Sequence, residues 1–146
     1  MSQLETSGFE ELAKKFRKLE MKTQSKLVGQ VAGFSMTPVV STAKRNAPVG
    51  KVAHKTYQGK LVAPGYAKRS IKKRNFKHRD GGGVSVIVGP AKDAFYLTQF
   101  VEIGTVKQRR QDWLLKSYRQ TKDQVERRFA DRMGQKIEQL AGNSSQ

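Results

Sequence analysis

Apolar positions recur at helical spacing in three stretches of the chain. Over residues 8–21, Phe9, Leu12, Ala13, Phe16 and Leu19 form one stripe, which predicts an amphipathic helix. Ser7 is placed to cap it, and Glu10 and Glu11 suit a first turn. Over residues 24–46, Leu27, Val28, Val31, Ala32, Met36, Val39, Val40 and Ala43 repeat in the same way. Thr37-Pro38 interrupts that run. It reads either as a cap followed by a first-turn proline or as a kink in one long helix. Asn46-Ala47-Pro48 ends it, because a residue before proline avoids the helical basin. The longest stripe covers residues 112–141. It runs through Trp113, Leu114, Leu115, Tyr118, Val125, Phe129, Met133, Ile137 and Leu140, with Asp112 as its expected cap.

Between the helical stretches the period changes. Val84, Val86 and Val88 alternate with Ser85 and Ile87, which predicts a strand over 84–89. A weaker alternation over 69–77 and the turn Asp80-Gly81-Gly82-Gly83 make the pair a β-hairpin. Residues 93–102 read as a short helix with Asp93 as cap, broken at Gly104-Thr105. Residues 48–69 carry Pro48, Gly50, Gly59, Pro64 and Gly65 and read as a long loop. Residues 142–146 read as a disordered tail. The expected fold is therefore α+β and a single domain. A small antiparallel sheet, the hairpin near 69–89, is packed by an N-terminal helical pair and a long C-terminal helix.

Charge sharpens this picture. The 146 residues include 29 Lys or Arg and 12 Asp or Glu, for a net charge of +17. Residues 41–80 hold twelve basic groups and one acid, so +11 of the +17 sits there. That block reads either as a surface for a polyanion or acidic partner, or as a solvated flexible loop. Lys68, Arg69, Lys72, Lys73, Arg74, Lys77, His78 and Arg79 form its densest part, a basic strand and turn able to neutralise phosphates. A free-standing basic nucleic-acid-binding protein is accordingly one functional reading. No zinc-finger, helix-turn-helix or RNA-recognition motif accompanies the block.

The chemistry of catalysis is sparse. With no cysteine in the chain, thiol catalysis, disulfides and cysteine-ligated metals are excluded. The two histidines, His54 and His78, sit among cations that repel a metal. Asp80-Gly81-Gly82-Gly83-Val84 lacks the Lys-Ser/Thr of a phosphate loop and reads as a hairpin turn. Glu102, between Val101 and Ile103, has no partner group nearby and reads as a carboxylate that caps a turn or pairs with an arginine. No enzyme and no cofactor is expected. No apolar run of about 18 residues spans a membrane, and the first residues lack the pattern of a secretory signal.

Four segments follow one another in a set order along the chain. The first is an N-terminal helical pair opened by Phe9-Glu10-Glu11-Leu12. The second is a helix ending in Ala43-Lys44-Arg45-Asn46-Ala47-Pro48-Val49-Gly50, followed later by Arg69-Ser70-Ile71. The third is Val84-Ser85-Val86-Ile87-Val88-Gly89-Pro90. The fourth is Tyr96, then Phe100-Val101-Glu102-Ile103-Gly104-Thr105, then Trp113-Leu114-Leu115. In this order the four segments resemble the tailed-bacteriophage family of small neck and tail-completion proteins. Gln111-Asp112 stand where the family usually has a proline, and the loop between Pro48 and Arg69 is longer and more basic than is typical.

The resemblance implies a non-enzymatic structural protein of the virion, made in the cytoplasm of a bacterial host. Such proteins form rings, commonly sixfold, that join the DNA-filled head to the tail. Its implied partners are copies of itself, the head–tail connector, and tail-terminator or tail-tube proteins. Packaged DNA is a further contact, through Lys68, Arg69, Lys72, Lys73, Arg74, Lys77 and Arg79. The loop residues Lys51, Lys55, Tyr57, Lys60 and Tyr66 would dock on a neighbouring subunit. Glu102, Gly104 and Thr105 would form a turn fixing the closing helix against the sheet.

Overall fold

In a computed structural model the described residues are 3–79, 83–98, 102–104, 106 and 109–144, with the side chains at 3–7, 97–98 and 143–144 excepted. In chain order the elements are α1 (Gln3–Arg17), α2 (Met21–Ser35), α3 (Thr37–Asn46), β1 (His54–Lys55), β2 (Leu61–Val62) and α4 (Tyr66–Ser70). There follow β3 (Ile71–Lys77), β4 (Val84–Pro90), a single 3-10 turn (Lys92–Ala94), α5 (Phe95–Thr98) and α6 (Trp113–Ser144). The fold is α+β, with two small antiparallel sheets, β1-β2 and β3-β4, and a long closing helix. The chain divides into two compact units, one of residues 1–35, 75–86 and 126–146, the other of residues 36–74 and 87–125.

The first unit holds α1, α2, the last residues of β3, the first of β4 and the second half of α6. Leu27, Val31 and Ile137 are its buried centre, with Leu12, Phe16, Leu19, Phe129, Met133 and Leu140 packed against them. Val31 is 1% exposed, which by area corresponds to about 1.5–3 kcal/mol of transfer free energy. The apolar stripe of α1 meets this core through Leu12 and Phe16, with Leu19 joining from the turn beyond the helix, whereas Phe9 stays 73% exposed. The turn after α1 is closed by Gln24, whose Nε2 donates to the carbonyls of Phe16 (3.1 Å) and Leu19 (2.9 Å). The Lys15 ammonium donates to both Glu138 oxygens at 3.0 and 3.1 Å. That contact raises the lysine's pKa above its ordinary value, with Glu11 adding to it. On α2, Gly29 and Gly33 are buried and admit the hairpin closely. Asn75 Nδ2 donates to the Gly29 carbonyl at 2.9 Å, and a Cβ on Gly33 would meet the same nitrogen at 3.3 Å.

The second unit is built on Ala43, Ala47, Ile71 and Trp113, with Val40, Val88 and Leu114 against them. Asn46 ties the end of α3 to α6, its Nδ2 donating to Ser117 Oγ and Gln120 Oε1, both at 3.0 Å. Ser117 and Thr121 are buried polar groups satisfied by their own helix, donating to the carbonyls of Trp113 (2.6 Å) and Ser117 (2.7 Å). Burial without strain follows, because each hydroxyl has an acceptor.

Several expectations are corrected by local physics. The first helix starts at Gln3, so Ser7 lies inside it and does not cap it, and it ends at Arg17. The second begins at Met21. Pro38 splits the long run into two helices, with Met36, not Thr37, at the cap position. Proline has no N–H to give the carbonyl four residues back. The Phe34 carbonyl instead accepts from Arg128 Nη2 at 3.0 Å, and that guanidinium lies 4.1 Å from the Phe34 ring centroid.

Residues 49–68, expected as one long loop, contain the β1-β2 hairpin and the start of α4. His54 pairs with Val62 and Lys55 with Leu61. Thr56 closes the turn: its amide donates to the Lys60 carbonyl at 2.8 Å, its carbonyl accepts from Gly59 at 2.8 Å, and Gly59 takes φ of 80°. The predicted helix over 93–102 is a 3-10 turn followed by one turn of α-helix, and Ala91, not Asp93, holds the cap position. The predicted tail is helical through Ser144. Asp80, Gly81, Gly82 and residues 99–101 lie outside the described residues.

Candidate partner-binding surface

The expected basic row divides by its backbone. Lys68 and Arg69 are on α4, Lys72, Lys73, Arg74 and Lys77 on β3, and Arg79 in the turn beyond, all exposed. A strand turns alternate residues to opposite faces. Ile71, Lys73 and Asn75 are the positions that meet helices: Ile71 is buried, Lys73 Nζ donates to Thr37 Oγ1 at 3.0 Å, and Asn75 bonds to Gly29. Lys72, Arg74 and Phe76 share the other face of the strand. Arg69 serves the fold, its Nη1 donating to the Pro64 carbonyl at 2.7 Å and its Nη2 to that of Ala63 at 3.1 Å. Lys68, Lys72, Arg74, Lys77 and Arg79 have no carboxylate within ion-pair reach among the described residues.

Of the loop residues expected to dock, Lys51, Lys55 and Lys60 are exposed and Tyr66 is half-buried at the start of α4. Tyr57 does more. It lines an open cleft of about 470 Å³ in the second unit together with Arg74, Pro90, Lys92, Phe95 and Tyr96. Tyr96 is the anchored wall. Its hydroxyl is 2.8 Å from His54 Nε2, and the Tyr57 ring meets it edge-on at 5.9 Å. Burial raises the Tyr96 phenol above its usual 10.0, with the nearby phenol of Tyr66 adding. The cleft therefore offers aromatic faces beside two cations, a chemistry suited to an aromatic group carrying negative charge.

Sequence reading brought Tyr57 and Arg74 forward but for different reasons; it named Pro90 and Tyr96 only within the segments of the resemblance, and it missed Lys92 and Phe95. The adjacent aromatics Phe95-Tyr96, just after a strand-ending Gly-Pro, are the signal that points to them. His78, the other histidine, is held by Ser85 Oγ at 2.8 Å. Among the described residues no cluster of three metal-ligating side chains occurs, and no helix is long and apolar enough to cross a membrane.

The turn before α6 is the second feature. Glu102 accepts from the backbone N–H of Leu114 at 2.9 Å and of Leu115 at 3.0 Å. These are second- and third-position amides of a helix, which have no partner within it. Asp112, the expected cap, gives its carbonyl to Lys116 N at 2.8 Å and its carboxylate to Arg110 Nε. Gly104 takes φ of 83°, the left-handed region where a side chain is strained, and so returns the chain toward α6. Thr105 lies outside the described residues.

Each sheet has two strands among the described residues, leaving every strand with one edge not paired to another. Comparison of the chain with protein-family models, curated proteins and solved structures finds no match.

Proposed function

We propose that the chain is a structural virion protein of a tailed phage, a ring-forming neck or tail-completion subunit that joins the DNA-filled head to the tail. The observation that carries this reading is the Glu102–Gly104 turn. The resemblance assigns that turn to fixing the closing helix, and here Glu102 caps α6 while Gly104 adopts a conformation suited to glycine. Sheet edges left without a partner strand among the described residues support it, because such an edge can pair with a neighbouring copy. So does the surface chemistry: an aromatic cleft with two cations that have no ion pair among the described residues suits a protein partner better than a small substrate.

A head-to-tail contact that closes by rotation makes a ring, and copies, the connector and the tail-terminator or tail-tube proteins are then its neighbours. The exposed cations Lys68, Lys72, Arg74, Lys77 and Arg79 face DNA in the channel or an acidic neighbour. Negative-stain images of the purified protein, and of tailed particles from a host carrying its gene, test the reading. Rings, and the protein within particles, are expected. A lone subunit absent from particles overturns it.

The second reading, a free-standing nucleic-acid-binding protein, is favoured by those same cations. Under it, replacing Lys72, Lys73 and Arg74 by alanine abolishes a DNA or RNA mobility shift. If the triple variant disturbs only assembly, this reading fails.

A further inference from the structure

The aromatic-basic cleft has a complement on the same chain. Phe9 belongs by spacing to the stripe of Leu12, Phe16 and Leu19, yet those three pack in a core and Phe9 is 73% exposed. It is followed by Glu10 and Glu11, both exposed. The first thirteen residues hold three carboxylates and no Lys or Arg, in a chain of +17. Glu10 has no ion pair among the described residues. Glu11 lies 3.4 Å from Lys15, which is nearer to Glu138 at 3.0 Å. An exposed aromatic with carboxylates beside it is what the cleft's chemistry selects.

We propose that the cleft of Tyr57, Arg74, Lys92, Phe95 and Tyr96 seats Phe9, Glu10 and Glu11 of a second copy of this chain. The inference rests on the ring reading and names the surfaces that meet. The phenyl ring of Phe9 enters between Tyr57 and Phe95, which are 62% and 54% exposed and free to meet it edge-to-face. The carboxylates of Glu10 and Glu11 then reach Arg74 and Lys92, which have no ion pair among the described residues.

Phe9 is exposed and the cleft is open, and a donor supplied by another copy lets this one contact build the ring. Two strongly positive copies repel at long range, and the contact of least repulsion joins an acidic patch to a basic one. Because donor and acceptor are different surfaces, every bound copy still offers one of each. The contact therefore propagates head to tail until it closes.

A competing occupant is single-stranded nucleic acid, with bases on Tyr57 and Phe95 and phosphates on Arg74 and Lys92. That occupant makes no use of Phe9.

Native mass measurements on the full chain distinguish these. The donor variant is Phe9→Ala with Glu10→Ala, and the cleft variant is Lys92→Ala with Phe95→Ala. All four positions are exposed, so circular dichroism should match the unchanged chain. Each variant alone should be monomeric where the unchanged chain assembles, with association weakened at least tenfold. A one-to-one mixture should give a dimer and nothing larger, since only one intact donor and one intact cleft meet. Glu10→Lys combined with Lys92→Glu in one chain should recover assembly that either change alone removes.

If both variants assemble like the unchanged chain, the docking is overturned while the ring reading stands. If the unchanged chain is a monomer at every concentration, both fall. If a single-stranded oligonucleotide binds, the cleft variant loses it, and assembly is unaffected by either variant, the cleft belongs to nucleic acid and the docking is overturned.

Discussion

Replacing Glu102 by alanine removes both acceptors of the Leu114 and Leu115 amides at the start of α6. Loss of a capping side chain costs about 0.5–2 kcal/mol. Loss of a negative charge at a helix N-terminus costs about 0.3–1 kcal/mol more. The first turn of α6 also carries Trp113 and Leu114 into the second unit's core, so its fraying is felt there. A total of about 1–3 kcal/mol follows. With a urea slope of about 2 kcal/mol per molar, the midpoint should fall by roughly 0.5–1.5 M. The chain's one tryptophan is Trp113, buried to 4% exposure, and its fluorescence reports the transition.

Glu102→Gln keeps one acceptor and turns a donor toward the second amide, so its midpoint should lie between the two. Hydrogen exchange locates the effect. The amides of Leu114 and Leu115 should exchange faster in Glu102→Ala, while that of Val31, in the other unit's core, changes least. A variant whose midpoint and exchange both match the unchanged protein would refute the assignment of Glu102 as the cap of α6.

The remaining predictions are independent of that one. Gly104→Ala places a side chain at φ of 83° and should destabilise by about 1–2 kcal/mol in the same urea assay. Ile137→Ala empties part of the first unit's core and should cost about 2–5 kcal/mol. Arg128→Leu leaves the Phe34 carbonyl without its donor and removes the nearer of the two cations over that ring, Arg132 remaining at 4.7 Å, and should cost about 1–3 kcal/mol by denaturant midpoint. If the exposed cations of β3 meet phosphates, Lys72→Ala with Arg74→Ala should lower the slope of log affinity for DNA against log salt by about 2, whereas an unchanged slope places phosphates elsewhere.

What the sequence disclosed depended on whether the information was periodic. Leu12, Phe16, Leu27, Val31, Ile137 and Leu140 repeat at helical spacing, and all of them face the first unit's core. The strand at Val84–Pro90 was legible from its alternation. Phe9 obeys the same period and yet is exposed, because period places a residue on a face without saying how far the core extends beneath it.

Residues 49–68 carry glycines, prolines and lysines, so their composition reads as loop. The hairpin there is fixed by the Thr56 turn and the paired His54 and Val62, which are pairings and not a pattern. Glu102 was read as a carboxylate that caps or pairs, but its contact twelve residues on, at Leu114, is tertiary. The cleft joins Tyr57, Arg74 and Phe95 across distant parts of the chain, and no spacing along the sequence carries that.

The most direct test of the central claim is the mass of the full-length protein in solution as its concentration rises at near-physiological salt. The account predicts one closed species with a fixed whole number of copies, seen as a ring when imaged. A chain that stays a single subunit throughout the series would contradict it.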